Sequence, residues 1–172
     1  MLQLILGGAR SGKSRLAEQT AKETGLSVIY IATAQALDTE MQQRIAHHKQ
    51  QRPAHWQVFE EPTYLADRLL QCDQANQLIL VDCLTLWLSN LLLAEDSALQ
   101  QQQIQQLLNV LPQLKSKIIL VSNETGLGVV PMGELSRRFV DEAGRLHQNL
   151  GQLANKVVFC VAGFPMILKD EK

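Results

Sequence analysis

Three cysteines in 172 residues are too few for a disulfide framework. Cys72, Cys83 and Cys160 lie far apart in the chain, odd in number and without CxxC or Cys/His metal spacing, so buried thiols in a reducing compartment are expected. Charge of one sign is also missing. The formal net charge of -1 supplies no general attraction to nucleic acid or to anionic lipid, and neither is expected as a partner. Long apolar runs are absent too. The longest, "CLTLWLSNLLLA" at 83–94, is interrupted by Thr85, Ser89 and Asn90 and falls short of the ~20 residues needed to cross a bilayer, so it reads as a buried helix with no membrane insertion. The first residues carry no basic start or small-residue cleavage site, so no signal peptide is read and a cytoplasmic protein is expected. With no internal repeat and no Pro/Gly/Ser linker, residues 1–172 are expected to form a single domain.

What is present is the composition of a globular protein, 46% apolar and 19% charged, arranged in alternating patterns. "LQLIL", "SVIYIA", "QLILVD", "KIILVSN" and "KVVFCVAG" are apolar nearly throughout, as strands covered on both faces are. Helices are signalled at 14–22, 39–49, 64–70, 84–93, 99–111 and 134–153. Such alternation predicts a three-layer α/β fold around a mostly parallel central sheet. In the glutamine-rich stretch, Ile104, Leu107, Leu108 and Leu111 recur at helical spacing, which predicts an amphipathic helix with a polar outer face. In the last long helix, Leu135, Phe139, Ala143, Leu146, Leu150 and Leu153 predict a core-facing stripe.

"GGARSGKS", residues 7–14, follows the first strand and opens the first helix, the context that GxxxxGK(S/T) requires of a phosphate cradle. Gly7 and Gly12 allow the tight turn and the close approach of backbone to an anion. Backbone N–H groups and the positive end of the helix then face the phosphates, Lys13 reaches the β- and γ-phosphates, and Ser14 offers a hydroxyl to Mg²⁺. A strand-end acid is needed to complete the metal shell. Asp82 closes "QLILVD", a run expected to lie beside the first strand, although a plain turn would carry an aspartate there as well. "NKVV" at 155–158 lacks the acid of a guanine-reading NKxD, which argues against a switch GTPase.

Residues 38–62 concentrate His47, His48, His55, Arg44, Lys49, Arg52, Glu60 and Glu61 in one connection. If 39–49 is helical, Leu37, Met41, Ile45 and His48 share a face, Arg44 lies beside His48, and His47 points away at ~100° per residue. Inward placement suits a nucleophile, but spacing alone fits a hydrogen-bonded core or surface histidine better. Adjacent histidines diverge on a helix, which argues against a metal site at His47, His48 and His55.

Together these stretches resemble the bifunctional adenosylcobinamide kinase/adenosylcobinamide-phosphate guanylyltransferase family. "GGARSGKS", "YIATAQALDTEM", "RIAHHKQQRPAHW", "VDCLTLWLSNLL", "SNETGLGVVP" and "RRFVDEAGRLHQNLG" look like its blocks in its order, and RIxxHxxxRPxxW is filled by Arg44, Ile45, His48, Arg52, Pro53 and Trp56. The family often carries a hydroxyl residue two after the tryptophan. This chain has Val58, so any contact of that hydroxyl is not carried over.

The resemblance implies a covalent guanylyl group on His48. It implies nucleotide contacts from Gly7, Gly8, Ala9, Arg10, Ser11, Gly12, Lys13 and Ser14, from Thr33, Ala34 and Gln35, from Lys49, Gln50, Gln51 and Arg52, and from Glu60, Glu61 and Asp82, with Mg²⁺ at Ser14 and Asp82. It further implies that "SNETGLGVVP" shapes the corrinoid side. ATP or GTP would phosphorylate adenosylcobinamide, and GMP from GTP would then pass through His48 to adenosylcobinamide phosphate, in a homo-oligomer for which a trimer is one form. The residues alone also fit a single-activity P-loop kinase of another small hydroxyl compound, or a nucleotide-binding interaction module. A covalent nucleotide adduct separates the first reading from both.

Overall fold

Seven strands form one sheet in the computed structural model, which describes residues 1–36, 39, 42–43 and 53–171. In chain order they are β1 (Leu2–Gly7), β2 (Ser27–Ala32), β3 (Gln57–Glu60), β4 (Gln77–Asp82), β5 (Lys117–Asn123), β6 (Lys156–Val161) and β7 (Phe164–Asp170). They lie in the order β3-β2-β4-β5-β1-β6-β7, parallel except for the β6–β7 hairpin. The described helices are α1 (Lys13–Glu23), α2 (Leu65–Cys72), α3 (Leu84–Leu93), α4 (Ser97–Val110) and α5 (Glu134–Leu153).

Alternation along the strands sorts the core into two layers. Ile5, Val28, Tyr30, Leu78, Leu80, Ile119 and Val121 meet Ala17 and Ala21 of α1 on one face. Leu4, Leu6, Ile29, Ile31, Ile79, Val81, Ile118 and Leu120 meet α2, α3, α4 and α5 on the other. Burial on both faces is why β1, β2 and β4 carry almost no polar residue, and each fully buried Leu or Ile contributes about 1.5–3 kcal/mol. The expected three layers and parallel sheet are observed.

Several expectations are corrected. β4 does not lie beside β1: β5 pairs with both and stands between them, because Leu4 to Gly7 register with Leu120 to Asn123 and Leu78 to Asp82 with Lys117 to Val121. β3 and β7 were not foreseen, β3 because four residues are too short to show a period and β7 because its side chains are mostly exposed. The α5 stripe holds at Ala143, Leu146 and Leu150, but Leu135 and Leu153 at its ends are exposed. The glutamine-rich helix is not polar only outside. Gln100 and Gln103 are buried, and Gln100 Oε1 accepts from Arg138 Nη2 at 2.9 Å, which removes the cost of burying an amide.

All three cysteines are free thiols and buried, as expected. Of the predicted helix 39–49, Thr39, Gln42 and Gln43 are helical and the rest lies outside the described residues. Among the described residues no helix is long and apolar enough to cross a membrane.

Candidate functional site

The carboxyl ends of six parallel strands share one edge of the sheet, where an open α/β fold leaves a crevice for ligands. The cradle, residues 7–14, lies on that edge between β1 and α1. Gly12 has φ 94°, and a Cβ there would come within 3.2 Å of Gly163 Cα, so both the turn and its packing require glycine. At Gly7 a Cβ would meet Ser11 Oγ at 2.5 Å and Cys160 O at 2.7 Å. The β6–β7 turn braces the loop from outside: Gly163 N–H and Cys160 Sγ both donate to Ser11 O, at 2.9 and 3.0 Å. Cys160, expected only to be buried, therefore holds the cradle's shape.

Lys13 is 8% exposed, and its Nζ donates to Gly8 O at 3.0 Å across the loop. The Ser11 hydroxyl oxygen is buried without a partner. Helix α1 begins at Lys13, and a first turn leaves N–H groups without intrahelical acceptors. Orphan donors, a buried lysine and an unpartnered hydroxyl are the groups from which anion sites are built. Ala9 and Arg10 form its exposed shoulder, with Arg10 at φ 55°, and Gly8 and Ser14 are half-buried.

Asp82 ends β4 on the α1 face, in alternation with Leu78 and Leu80, so it looks to the same side as Ser14 and Lys13. Tyr30, 1% exposed, donates its O–H to Asp82 Oδ2 at 2.8 Å and fixes the carboxylate's rotation. Tyr30 in turn stacks on the buried Trp56, ring centroids 6.4 Å apart. Burial pushes the Cys83 thiol up to about 11, Asp82 adds to that rise and Lys13 opposes it, so both charges are felt at this one point. Ser14 and Asp82 are hard oxygen donors, the chemistry Mg²⁺ takes.

Thr33 is fully buried, and its hydroxyl donates to Cys83 O at 2.6 Å and accepts from Cys83 N–H at 3.0 Å. Asn90 Nδ2 donates to Thr33 O and Pro62 O, tying the ends of β2 and β3 together. Thr33 is thus spent on the frame, and Ala34 and Gln35 are the accessible members of their block. Glu60 ends β3 with an exposed side chain, beside Ala32 of β2. Glu61 turns back: its Oε1 accepts from Thr63 N–H and Tyr64 N–H at 3.2 and 2.8 Å, closing the turn that leads into α2, and its Oε2 lies 3.7 Å from Arg68 Nη2. Val58 on β3 is 40% exposed. Arg44, His47, His48, Lys49, Gln50, Gln51 and Arg52 lie outside the described residues.

Beside the cradle, Thr85, Ser122, Asn123, Glu124 and His147 form a polar cluster that sequence reasoning missed. An acid directly after a strand, the signal that singled out Asp82, also marks Glu124. Tyr30 and His147 carry no such signal, since both come to the site only through register and helix packing. A separate, mainly apolar groove of about 400 Å³ opens between α3 and α5, lined by Leu92, Thr125, Pro131, Phe139 and Val140 among others.

Residues 3–168 match the family described as cobinamide kinase / cobinamide phosphate guanyltransferase. A bifunctional adenosylcobalamin biosynthesis protein CobP of Pseudomonas aeruginosa is 60% identical over 171 residues, covering 99% of both chains. A bifunctional adenosylcobalamin biosynthesis protein CobU of Escherichia coli K12 is 40% identical over 183 residues, covering 98% of this chain and all of that one. Among solved structures, a Pyrococcus horikoshii protein superposes with TM-score 0.58 at 11% identity, over 99% of this chain and 87% of that one. The flagellar accessory protein FlaH of Methanocaldococcus jannaschii gives 0.50 at 15% identity, over 99% and 78%. These two likenesses speak to the fold alone.

Proposed function

This chain belongs to the cobinamide kinase / cobinamide phosphate guanyltransferase family, and on that premise we propose that one domain, residues 1–172, runs both of that family's reactions at overlapping sites. In the first, ATP or GTP gives its γ-phosphoryl group to the hydroxyl of the aminopropanol arm of adenosylcobinamide. In the second, His48 attacks the α-phosphorus of GTP, pyrophosphate leaves, and adenosylcobinamide phosphate takes the GMP to give adenosylcobinamide-GDP.

The observation that carries this reading is the braced loop 7–14, which brings Lys13, the unpartnered Ser11 hydroxyl and the start of α1 together in eight residues. Lys13 neutralises charge on the transferred group, and the loop amides orient the triphosphate. Ser14 and Asp82 would hold Mg²⁺, which when bound neutralises phosphate charge. Tyr30 keeps Asp82 aligned for that task. Neutral imidazole suits the second step because its ordinary pKa of ~6.5 leaves a nucleophilic nitrogen at physiological pH, and a phosphoramidate passes its group on readily.

Glu60, rather than Glu61, which is held in the turn into α2, is our candidate for contacting ribose or base, together with Ala34, Gln35, Lys49, Gln50, Gln51 and Arg52. The apolar groove bordering Thr125 and Pro131 supports an acceptor approaching from the 122–131 side. The enzyme would work in the cytoplasm as a homo-oligomer. The deciding experiment supplies adenosylcobinamide, ATP, GTP and Mg²⁺ and follows products by mass: adenosylcobinamide phosphate and then adenosylcobinamide-GDP are expected. Phosphorylation of the acceptor with no GMP transfer would reduce the protein to a simple kinase.

A further inference from the structure

Glu124 is the first residue beyond β5, the strand that separates β1 with its cradle from β4 with Asp82. Its backbone N–H donates to Gly7 O at 3.0 Å, so it stands beside the cradle's first residue. Alternation decides its face. Ile118 and Leu120 pack toward α2–α5, Ser122 continues that row, and Glu124 Oε2 lies 3.5 Å from Nδ1 of His147 on α5. The carboxylate therefore borders the crevice from the face opposite Asp82 and α1.

A chain of donors leads to it. Asn123 N–H donates to Thr85 Oγ at 2.7 Å, the Thr85 and Ser122 hydroxyl oxygens are 3.3 Å apart, and Ser122 Oγ is 2.9 Å from His147 Nε2. The Thr85–Ser122 and Ser122–His147 contacts can run in either sense, and the Glu124 carboxylate, which only accepts, sets it: the Ser122 hydrogen serves Nε2. A neutral imidazole then carries its proton on Nδ1, toward Glu124. Burial, working against the nearby Glu124 charge, holds the His147 pKa below its ordinary value, in keeping with a neutral ring. The other oxygen, Oε1, accepts from Gly126 N–H. Gly126 N–H thus holds one oxygen, and His147 Nδ1, 3.5 Å from the other and without a hydrogen bond of its own, flanks a carboxylate whose side chain is still 21% exposed.

In-line phosphoryl transfer brings the acceptor oxygen to the γ-phosphorus from the side away from the leaving diphosphate, and needs a base or orienting group there. Of the other strand-end acids described, Asp82 faces α1, Glu61 is held in the turn into α2, and Glu60 sits three strands beyond β5 in the sheet order β5-β4-β2-β3. We propose that Glu124 is the catalytic base of the phosphoryl-transfer step and His147 its positioning residue. The idea rests on the reading that this protein phosphorylates a hydroxyl acceptor. The acceptor O–H gives its proton to the Glu124 carboxylate while the oxygen forms the new bond to the γ-phosphorus. The bond from that phosphorus to the β,γ-bridging oxygen breaks, its electrons leave on the nucleoside diphosphate, and Glu124 then releases the proton to water.

The test compares phosphorylation of adenosylcobinamide by ATP in the parent, Glu124→Gln, His147→Asn and His147→Gln, with ATP affinity by calorimetry and thermal melting as controls of folding. Glu124→Gln should lower kcat at least about hundredfold with the acceptor KM little changed, the usual size of a lost general base. Asn places an amide donor where Nδ1 stood and Gln places one where Nε2 stood. His147→Asn should therefore keep kcat within a few-fold of the parent, while His147→Gln loses most of it at unchanged KM. A Glu124→Gln enzyme within about threefold of the parent would remove the base while leaving the family reading intact. Equal losses in the two His147 variants would remove the positioning role even if Glu124→Gln proved too unstable to assay. A parent that phosphorylates nothing would overturn the reading and this inference with it.

Discussion

Tyr30 on β2 reaches past its direct partner Leu80 to donate its O–H to Asp82 on β4, across 2.8 Å. The ring that makes this bond rests on Trp56, so the RPxxW block acts on the strand-end acid through an aromatic stack.

Tyr30→Phe keeps the buried ring and removes only the donor, so the protein should melt within a few degrees of the parent. The Mg²⁺ concentration for half-maximal activity should rise several-fold, as expected for one lost hydrogen bond of about 1 kcal/mol. Asp82→Asn should raise it further. Magnesium titrations of both reactions check this, and an unchanged requirement in both variants would take Asp82 out of the site.

Lys13→Ala should weaken ATP and GTP binding more than tenfold and lower the kinase kcat by about 10²–10³, the usual cost of losing one electrostatic stabiliser of the transition state. The fold should persist, since the loop is also held by Gly163 and Cys160. Calorimetry giving equal nucleotide affinity in variant and parent would dismiss the cradle.

Incubated with GTP and Mg²⁺, the parent and His47→Ala should gain the mass of a GMP group, and His48→Ala should not. The adduct should be acid-labile and fairly stable to base, as a phosphorus–nitrogen bond to imidazole is. Intact-protein mass spectrometry reads the result directly. Loss of the adduct in His47→Ala with retention in His48→Ala would reverse the assignment.

Glu60 and Glu61 should separate cleanly. Glu61→Ala removes the acceptor that closes the turn into α2 and the partner of Arg68, and should cost about 1 kcal/mol, a fall in Tm of about 2–4 °C, with the preference for GTP over ATP unchanged. Glu60→Ala should instead lower that preference at nearly constant Tm. The reverse pattern, from melting curves and paired nucleotide titrations, would exchange their roles.

Asp73 makes stability depend on acid. Burial alone would push its carboxyl up, but the N–H groups of Ser116 and Lys115 outweigh that and hold it below the usual value. A lowered native pKa means stabilisation that is complete above the unfolded-chain pKa of ~3.9 and lost as pH falls through the native value. Asp73→Asn should therefore melt below the parent at pH 7, with the gap closing on acidification below about pH 4. A gap that stays constant down to pH 2 would mean the charge contributes nothing.

The sequence by itself determined the glycine-rich loop, the α/β layering and the family. Each of these is written in local order: glycines and a lysine at fixed spacing, apolar runs of strand length, and blocks in sequence. It also marked Asp82, but with the wrong neighbour, because strand order depends on which crossovers pack and leaves no trace in any one strand. Only the tertiary structure set β5 between β1 and β4, and with it brought Glu124 to Gly7. Glu60 and Glu61, indistinguishable as adjacent acids, were divided by where the chain turns into α2. Tyr30 read as one more apolar strand residue and His147 as one more residue of a long helix. Their polar atoms acquired partners at separations of 52 and 25 residues, through contacts that exist only once the sheet and its helices have packed.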